Sequence, residues 1–121
     1  MSDYYNFFGR TQKYNTPPKI MDKPLIVVNF KTYESASGVS ALELAKSMDN
    51  FSDRKFRLVA VTSAFDLATI ASQTNNLEVW SQHLDPVGKG SFTGWLEPSN
   101  AISSGASGTI INHAEHKVSI E

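Results

Sequence analysis

Residues 25–33, Leu-Ile-Val-Val-Asn-Phe-Lys-Thr-Tyr, are the stretch from which the rest of the chain is read. Four branched apolar residues in succession predict a strand buried on both faces, as in a parallel sheet. The pattern then continues with polar residues in it. Asn29 and Lys31 stand two apart, so the strand period of two sends both side chains, with that of Val27, to one side. Ile26, Val28 and Phe30 take the other side. A strand that is apolar where it begins and carries an amide and an amine where it ends predicts a site at that end. The other reading open at this strand is an edge lysine reaching for water beside a capping asparagine.

Downstream, the same kind of strand recurs. Phe56 to Val61 predicts a second buried strand, Leu77 to His83 a third and Gly108 to His113 a fourth. Helical patterns lie between them. Ser40 with Glu43 matches a capping box, and Ala41, Leu44, Ala45 and Met48 share one face of a helix running to about Met48. Asp66 can cap a short helix over Leu67 to Ala71. Pro98 at a first helical position and Gly105 just past the end bound a third helix. The order is strand, helix, strand, helix, strand, helix, strand, at roughly 25-residue spacing, which implies parallel crossovers and an α/β fold. Four such strands make the first half of a (β/α)8 barrel, strands 1–4, whose full length is roughly 250 residues. In that fold, chemistry sits at the C-terminal ends of the strands.

Upstream, residues 1–20 follow no clear period. Tyr4, Tyr5, Phe7, Phe8 and Tyr14 are scattered, and Thr16-Pro17-Pro18 reads as a stiff linker. The expected organisation is an N-terminal extension over 1–20, disordered or covering an exposed edge, followed by the half-barrel over 21–121.

Composition narrows the function. With 121 residues, the chain can bury one modest core. A formal net charge of -1 gives no footprint for nucleic acid or an anionic membrane surface. No apolar run reaches transmembrane length and no signal-peptide core opens the chain, so a cytoplasmic protein is expected and the Asn50-Phe51-Ser52 sequon is discounted. The absence of cysteine excludes disulfides, thiolate metal sites and a cysteine nucleophile.

Strand four ends Ile110-Ile111-Asn112-His113-Ala114-Glu115-His116. His113 falls on the rim that also carries Asn29 and Lys31. An imidazole, an amine and an amide together can polarise a carbonyl and balance an anionic substrate. His113, Glu115 and His116 do not fit a zinc hydrolase, which needs His-Glu-x-x-His with histidines four apart, so no metal is expected. Gly88-Lys89-Gly90-Ser91 lacks the frame of a P-loop and reads as a mobile loop. Ser119 and the loop serines have no base–orienter pattern around them.

Val28-Asn29-Phe30-Lys31-Thr32-Tyr33 resembles the first-strand motif of the triosephosphate isomerase family. Asn112-His113-Ala114-Glu115-His116 resembles its strand-four motif, usually Asn-His-Ser-Glu before a basic pair. Between them, Gln82-His83 and Phe92-Thr93-Gly94 resemble the strand-three loop that reaches a neighbouring subunit. Asn-Phe-Lys-Thr-Tyr, Ser-Ala-Phe-Asp-Leu and Gln-His-Leu-Asp-Pro-Val are similar to the archaeal branch. The resemblance runs from about Lys23 to Glu121 and leaves out residues 1–20.

For this family, itself a standard worked example of paired acid–base tuning, the resemblance implies interconversion of dihydroxyacetone phosphate and glyceraldehyde 3-phosphate, in glycolysis and gluconeogenesis and without a cofactor. It implies His113 as the neutral electrophile and Lys31 as the cation that offsets enediolate charge. Asn29 would orient Lys31 and contact substrate, and Glu115 would pair with Lys31. Residues 114 to 117 would form the first turn of a helix whose dipole disfavours an imidazolium, with Ala114 where the family has serine. The family's general base is a glutamate after strand six, and its phosphate loops follow strands six to eight. No residue here matches that base; Glu34, Glu97 and Glu121 carry no part of its motif.

Two functional readings remain. One is a triosephosphate isomerase that lacks the base within these residues and is inactive alone. The alternative is a non-catalytic half-barrel that self-associates or serves as a binding module. Both imply a homo-oligomer or a complementing half-barrel, because unpaired parallel edges and the side bearing Val27, Val59 and Ile111 would otherwise face nothing.

Overall fold

A computed structural model describes residues 3–7, 10–14, 23–52 and 55–119, the first two stretches by their backbone alone. Strands Asp3–Phe7 (β1) and Arg10–Tyr14 (β2) pair antiparallel, with Asp3 opposite Tyr14 and Phe7 opposite Arg10. The irregular aromatic pattern gives no hint of this pair. The expected linker at Thr16-Pro17-Pro18, and the expectation that the early aromatic side chains cover an edge, lie outside the described residues.

The remainder is a four-stranded parallel sheet in the order β3-β4-β5-β6, formed by Leu25–Asn29, Arg57–Thr62, Glu78–Ser81 and Gly108–Thr109. Helices α1 (Val39–Phe51), α2 (Ala64–Gln73) and α3 (Pro98–Ser103) form the successive crossovers. The core lies between the sheet and the first two helices. Phe30, Ala60 and Val79 from the sheet meet Ala41, Ala45 and Met48 of α1 and Leu67 and Ile70 of α2. Alanine at two of the three buried α1 positions lets that helix sit close to the strands.

β3 departs from expectation. Leu25, Ile26 and Val27 are 46%, 45% and 42% exposed, because this strand is an edge of the sheet and has β4 on one side only among the described residues. The branched run therefore marks a parallel strand without marking a fully buried one. The opposite error occurs at Val59, which is fully buried in register with Val27 and Glu78, although it was expected to face nothing; Ile111 is exposed.

Helix ends also differ. No capping box forms at Ser40 and Glu43: α1 begins after Gly38, whose φ of 59° suits glycine. The Gly38 N–H instead donates to Asp66 Oδ2 at 3.1 Å, from the first turn of α2. Ser63, not Asp66, caps α2, its hydroxyl accepting from Phe65 N–H at 3.2 Å. α1 runs on to Phe51, past Met48. From its last turn, the Asp49 carboxylate takes three backbone N–H groups, from Asn75, Asn76 and Leu77, at 2.7–3.0 Å, and fixes the turn into β5. At α3, Glu97 caps the N-terminus and Pro98 opens the helix. Gly105, at φ 106°, closes it: its N–H reaches Ile102 O while Ala106 N–H reaches Ala101 O.

Candidate active site

The strand that suggested a site reaches Asn29 but not Lys31. β3 stops at Asn29, and Lys31 sits in a turn at φ 56°, so a period of two does not aim its side chain. A left-handed lysine is a strained backbone that its surroundings must hold. Two amides do so. Asn29 Oδ1 accepts from Lys31 N–H at 2.9 Å, and Gln82 Nε2, from the end of β5, donates to Lys31 O at 2.7 Å. Asn29 thus orients the lysine through its backbone.

The fourth strand is shorter still. β6 covers Gly108–Thr109 only, where Gly108 allows the Trp80 indole to lie against the backbone: a Cβ there would meet the ring at 2.6 Å. Asn112 follows at φ 59°, its own Oδ1 accepting from Val118 N–H at 3.0 Å. His113 therefore stands on a turn past the strand, not on the strand. Residues 114–119 form no helix; a single turn is closed by His116 N–H on His113 O at 2.9 Å. The expected helix dipole is thereby replaced by one specific donor. Glu115 N–H reaches His113 Nδ1 at 3.1 Å, which in the neutral ring assigns the hydrogen to Nε2.

Among the sequence-predicted residues, Lys31 and Glu115 meet directly, Nζ to Oε1 at 2.7 Å. Glu115 Oε2 lies 3.7 Å from His113 Nδ1. The Lys31 ammonium, first by hydrogen bond and then by charge, holds the Glu115 carboxyl below the usual carboxylate range. The result is a half-exposed rim on which a cation, a carboxylate and an imidazole with a free Nε2–H stand within contact of one another. Such a rim can donate to a carbonyl oxygen and attract a phosphorylated substrate. Among the described residues, no three histidine or acidic side chains are placed to hold a metal ion.

Three contributors were not foreseen as such: Gln82, Asn112 and a stack between His83 and His116. Gln82 stands on the same rim as Asn29, which is the one signal that could have pointed to it. A cavity of about 90 Å³ between α2 and α3, lined by Leu67, Leu84, Leu96 and Ala101, holds none of the site residues. No helix of the described residues is long and apolar enough to cross a membrane.

The family model described as triosephosphate isomerase matches residues 24–121. The triosephosphate isomerase of Methanothermus fervidus is 36% identical over 101 residues, covering 83% of this chain and 45% of its own length. That of Methanosarcina barkeri is 40% identical over the same length. Among solved structures, triosephosphate isomerase from Bartonella henselae superposes with a TM-score of 0.65 at 24% identity, covering 77% of this chain and 39% of that one. This likeness shows the fold: the sheet of β3 to β6 with its helices is the first half of a (β/α)8 barrel. The chain spans about half the length of the curated relatives it matches.

Proposed function

Given that this chain belongs to the triosephosphate isomerase family, we propose that it carries the electrophilic half of an isomerase site for dihydroxyacetone phosphate and glyceraldehyde 3-phosphate. The observation that carries this reading is the pairing of Lys31 with Glu115 at 2.7 Å beside an imidazole whose Nδ1 is already occupied by a backbone N–H. Isomerisation removes a proton from the carbon next to the carbonyl and leaves an enediolate. His113 Nε2–H donates to the oxygen on which charge develops, and Lys31 offsets that charge and the substrate's phosphate. Asn29 keeps Lys31 in its left-handed turn and contacts substrate. Glu115 fixes the ammonium and, through its N–H, the ring.

Removal of the carbon-bound proton needs a positioned base, and residues 1–121 contain no match to the family's glutamate. Residues 1–121 by themselves are therefore expected not to turn over substrate, and activity needs the base and phosphate loops that the family carries beyond strand four. The assay is a coupled measurement of triose phosphate interconversion with the chain alone, and with a separately expressed C-terminal half of an archaeal relative. Turnover in the mixture alone, abolished by His113→Gln or Lys31→Met, is expected. Robust turnover by the chain alone would refute the dependence on a second half. A folded complex that stays inactive would refute the isomerase reading.

A second reading, a non-catalytic half-barrel that self-associates or binds a partner, is favoured by one feature. The outer edge of β3 exposes three consecutive branched residues. A folded homo-oligomer with no turnover in either assay would select it.

A further inference from the structure

Two of the three histidines take no step in the isomerase reading, yet their rings lie face to face. His83 and His116 stack with centroids 4.1 Å apart and planes 14° from parallel. His83 is held from behind. Its Nε2 contacts Asp85 Oδ1 at 2.8 Å, and its carbonyl accepts from Ser81 Oγ at 2.7 Å. Asp85 in turn accepts from Leu96 N–H at 2.7 Å, and its own N–H reaches Leu96 O at 2.8 Å. Both ends of the loop after β5 are thereby tied together under the His83 ring.

His116 belongs to the other side of the contact, the turn that presents His113 and Glu115. Its N–H closes that turn on His113 O, directly after the Glu115 N–H that reaches His113 Nδ1. No helix follows among the described residues, so no ladder of backbone bonds holds these two donors in place. The Lys31 contact holds the turn through the Glu115 side chain, and Asn112 holds it from Val118. The stack is the fastening on the residue next to Glu115 N–H, and it joins the turn to a braced loop.

We propose that His116 and His83, through their ring stack, are positioning residues that hold the Glu115 N–H on His113 Nδ1 and so keep the His113 hydrogen on Nε2. The purpose of the device rests on the isomerase reading, because only there is Nε2–H the required donor; its geometry does not. A flat ring at position 116 suffices, since the stack works by contact area and orientation. Loss of the ring frees the turn, and the Nδ1–H tautomer of His113 becomes accessible.

The test is nitrogen NMR of the full chain carrying ¹⁵N-labelled histidine at mildly alkaline pH, with the His113 signals assigned by their loss in His113→Gln. The Nε2–H tautomer is expected to dominate in the unaltered chain. In His116→Ala the Nδ1–H share of His113 should rise about three- to ten-fold, the span that a stacking contact of this kind corresponds to. His116→Phe should restore the original tautomer, and His116→Leu should not. An unchanged tautomer in His116→Ala overturns the proposal, as does full restoration by Leu. If the Ala variant does not unfold cooperatively, the comparison of Phe with Leu decides alone. Inactivity of a complemented enzyme would leave the tautomer result standing. An unchanged tautomer in an active one would remove only this proposal.

Discussion

Lys31 Nζ and Glu115 Oε1 lie 2.7 Å apart across 84 residues, and they come from the two outer edges of the four-stranded sheet. Lys31 follows β3 and Glu115 follows β6, so a flat sheet would hold them several strand spacings apart, at about 4.8 Å each. The curl of a half-barrel sheet closes part of that gap, and the loop after β6 with the two side chains spans the rest. Gln82, after β5, makes the same point by reaching over β4 to the Lys31 carbonyl. The curvature that closes a barrel is therefore already present in its first four strands, and it brings the candidate site residues together.

That ion pair has a pH signature. Lys31 lowers the Glu115 pKa in the folded chain below the ordinary glutamate value of 4.5, so the pair contributes fully above that unfolded value. The contribution is lost as pH falls through the lowered value. Carbon NMR of the Glu115 carboxyl should show a midpoint below that of an ordinary glutamate, returning to the ordinary range in Lys31→Met. An unshifted midpoint in the unaltered chain would show that the pair does not persist in solution.

Glu97 provides a second titration, remote from the site. Lys89, then the Ser99 N–H and hydroxyl and the Asn100 N–H, lower its carboxyl to about 2. The sign is that of a depressed acid: the cap on α3 is intact above about 4.5 and is given up as pH falls towards 2. Glu97→Gln should leave α3 frayed at neutral pH, seen as faster amide exchange at Ser99 and Asn100. Exchange unchanged from the parent chain would mean the carboxylate is not what holds those amides.

Asp49 should prove the costliest single polar group outside the site. Its carboxylate accepts three backbone N–H groups that have no other partner assigned in the turn before β5. Asp49→Ala leaves them to water or to nothing, and should destabilise the chain by about 2 kcal/mol. Denaturant titration with an unchanged slope would measure it. A loss under about 0.5 kcal/mol would mean that the turn re-forms its bonds elsewhere.

Gly105→Ala combines two penalties. The backbone is at φ 106°, and the added Cβ would stand 2.5 Å from Ala71 Cβ on α2. Strain and overpacking together should cost about 2 kcal/mol or more. A shift of the thermal midpoint by less than a degree would show that α3 moves away freely.

Much of this was legible in the sequence, and the parts that were not have physical reasons. Periodicity located the four strands and three helices, because burial against α1 and α2 imposes it at Phe30, Ala60 and Val79. It failed at the rim. Lys31 and Asn112 take left-handed conformations that no alternation encodes, and each is held by bonds from elsewhere in the chain or its own amide. Caps were misread where a tertiary partner replaced the local one, as Asp66 does at Gly38. Residue types in family-like motifs singled out Asn29, Lys31, His113 and Glu115 as candidates, and of these Lys31 meets Glu115 directly. Only the folded chain brings Gln82 to the Lys31 carbonyl and His116 against His83.

Assembly is the remaining consequence of the open edge. β3 offers Leu25, Ile26 and Val27 to solvent on a strand whose outer backbone groups pair with no strand among the described residues. Phe92 and Trp95, on the loop after β5, are also exposed. Contiguous apolar surface next to an unpaired parallel edge is a template for another chain, and burying it returns about 25 cal/mol per Å². The buried state of Val59 reduces that incentive on the inner side of the sheet but leaves the edge untouched. At micromolar concentration the chain alone should therefore elute as a homo-oligomer, and a lysine in place of Ile26 should shift it towards the monomer. Light scattering coupled to size exclusion reads both. A single sharp peak at 13.3 kDa that unfolds cooperatively would show that the half-barrel satisfies its own edge.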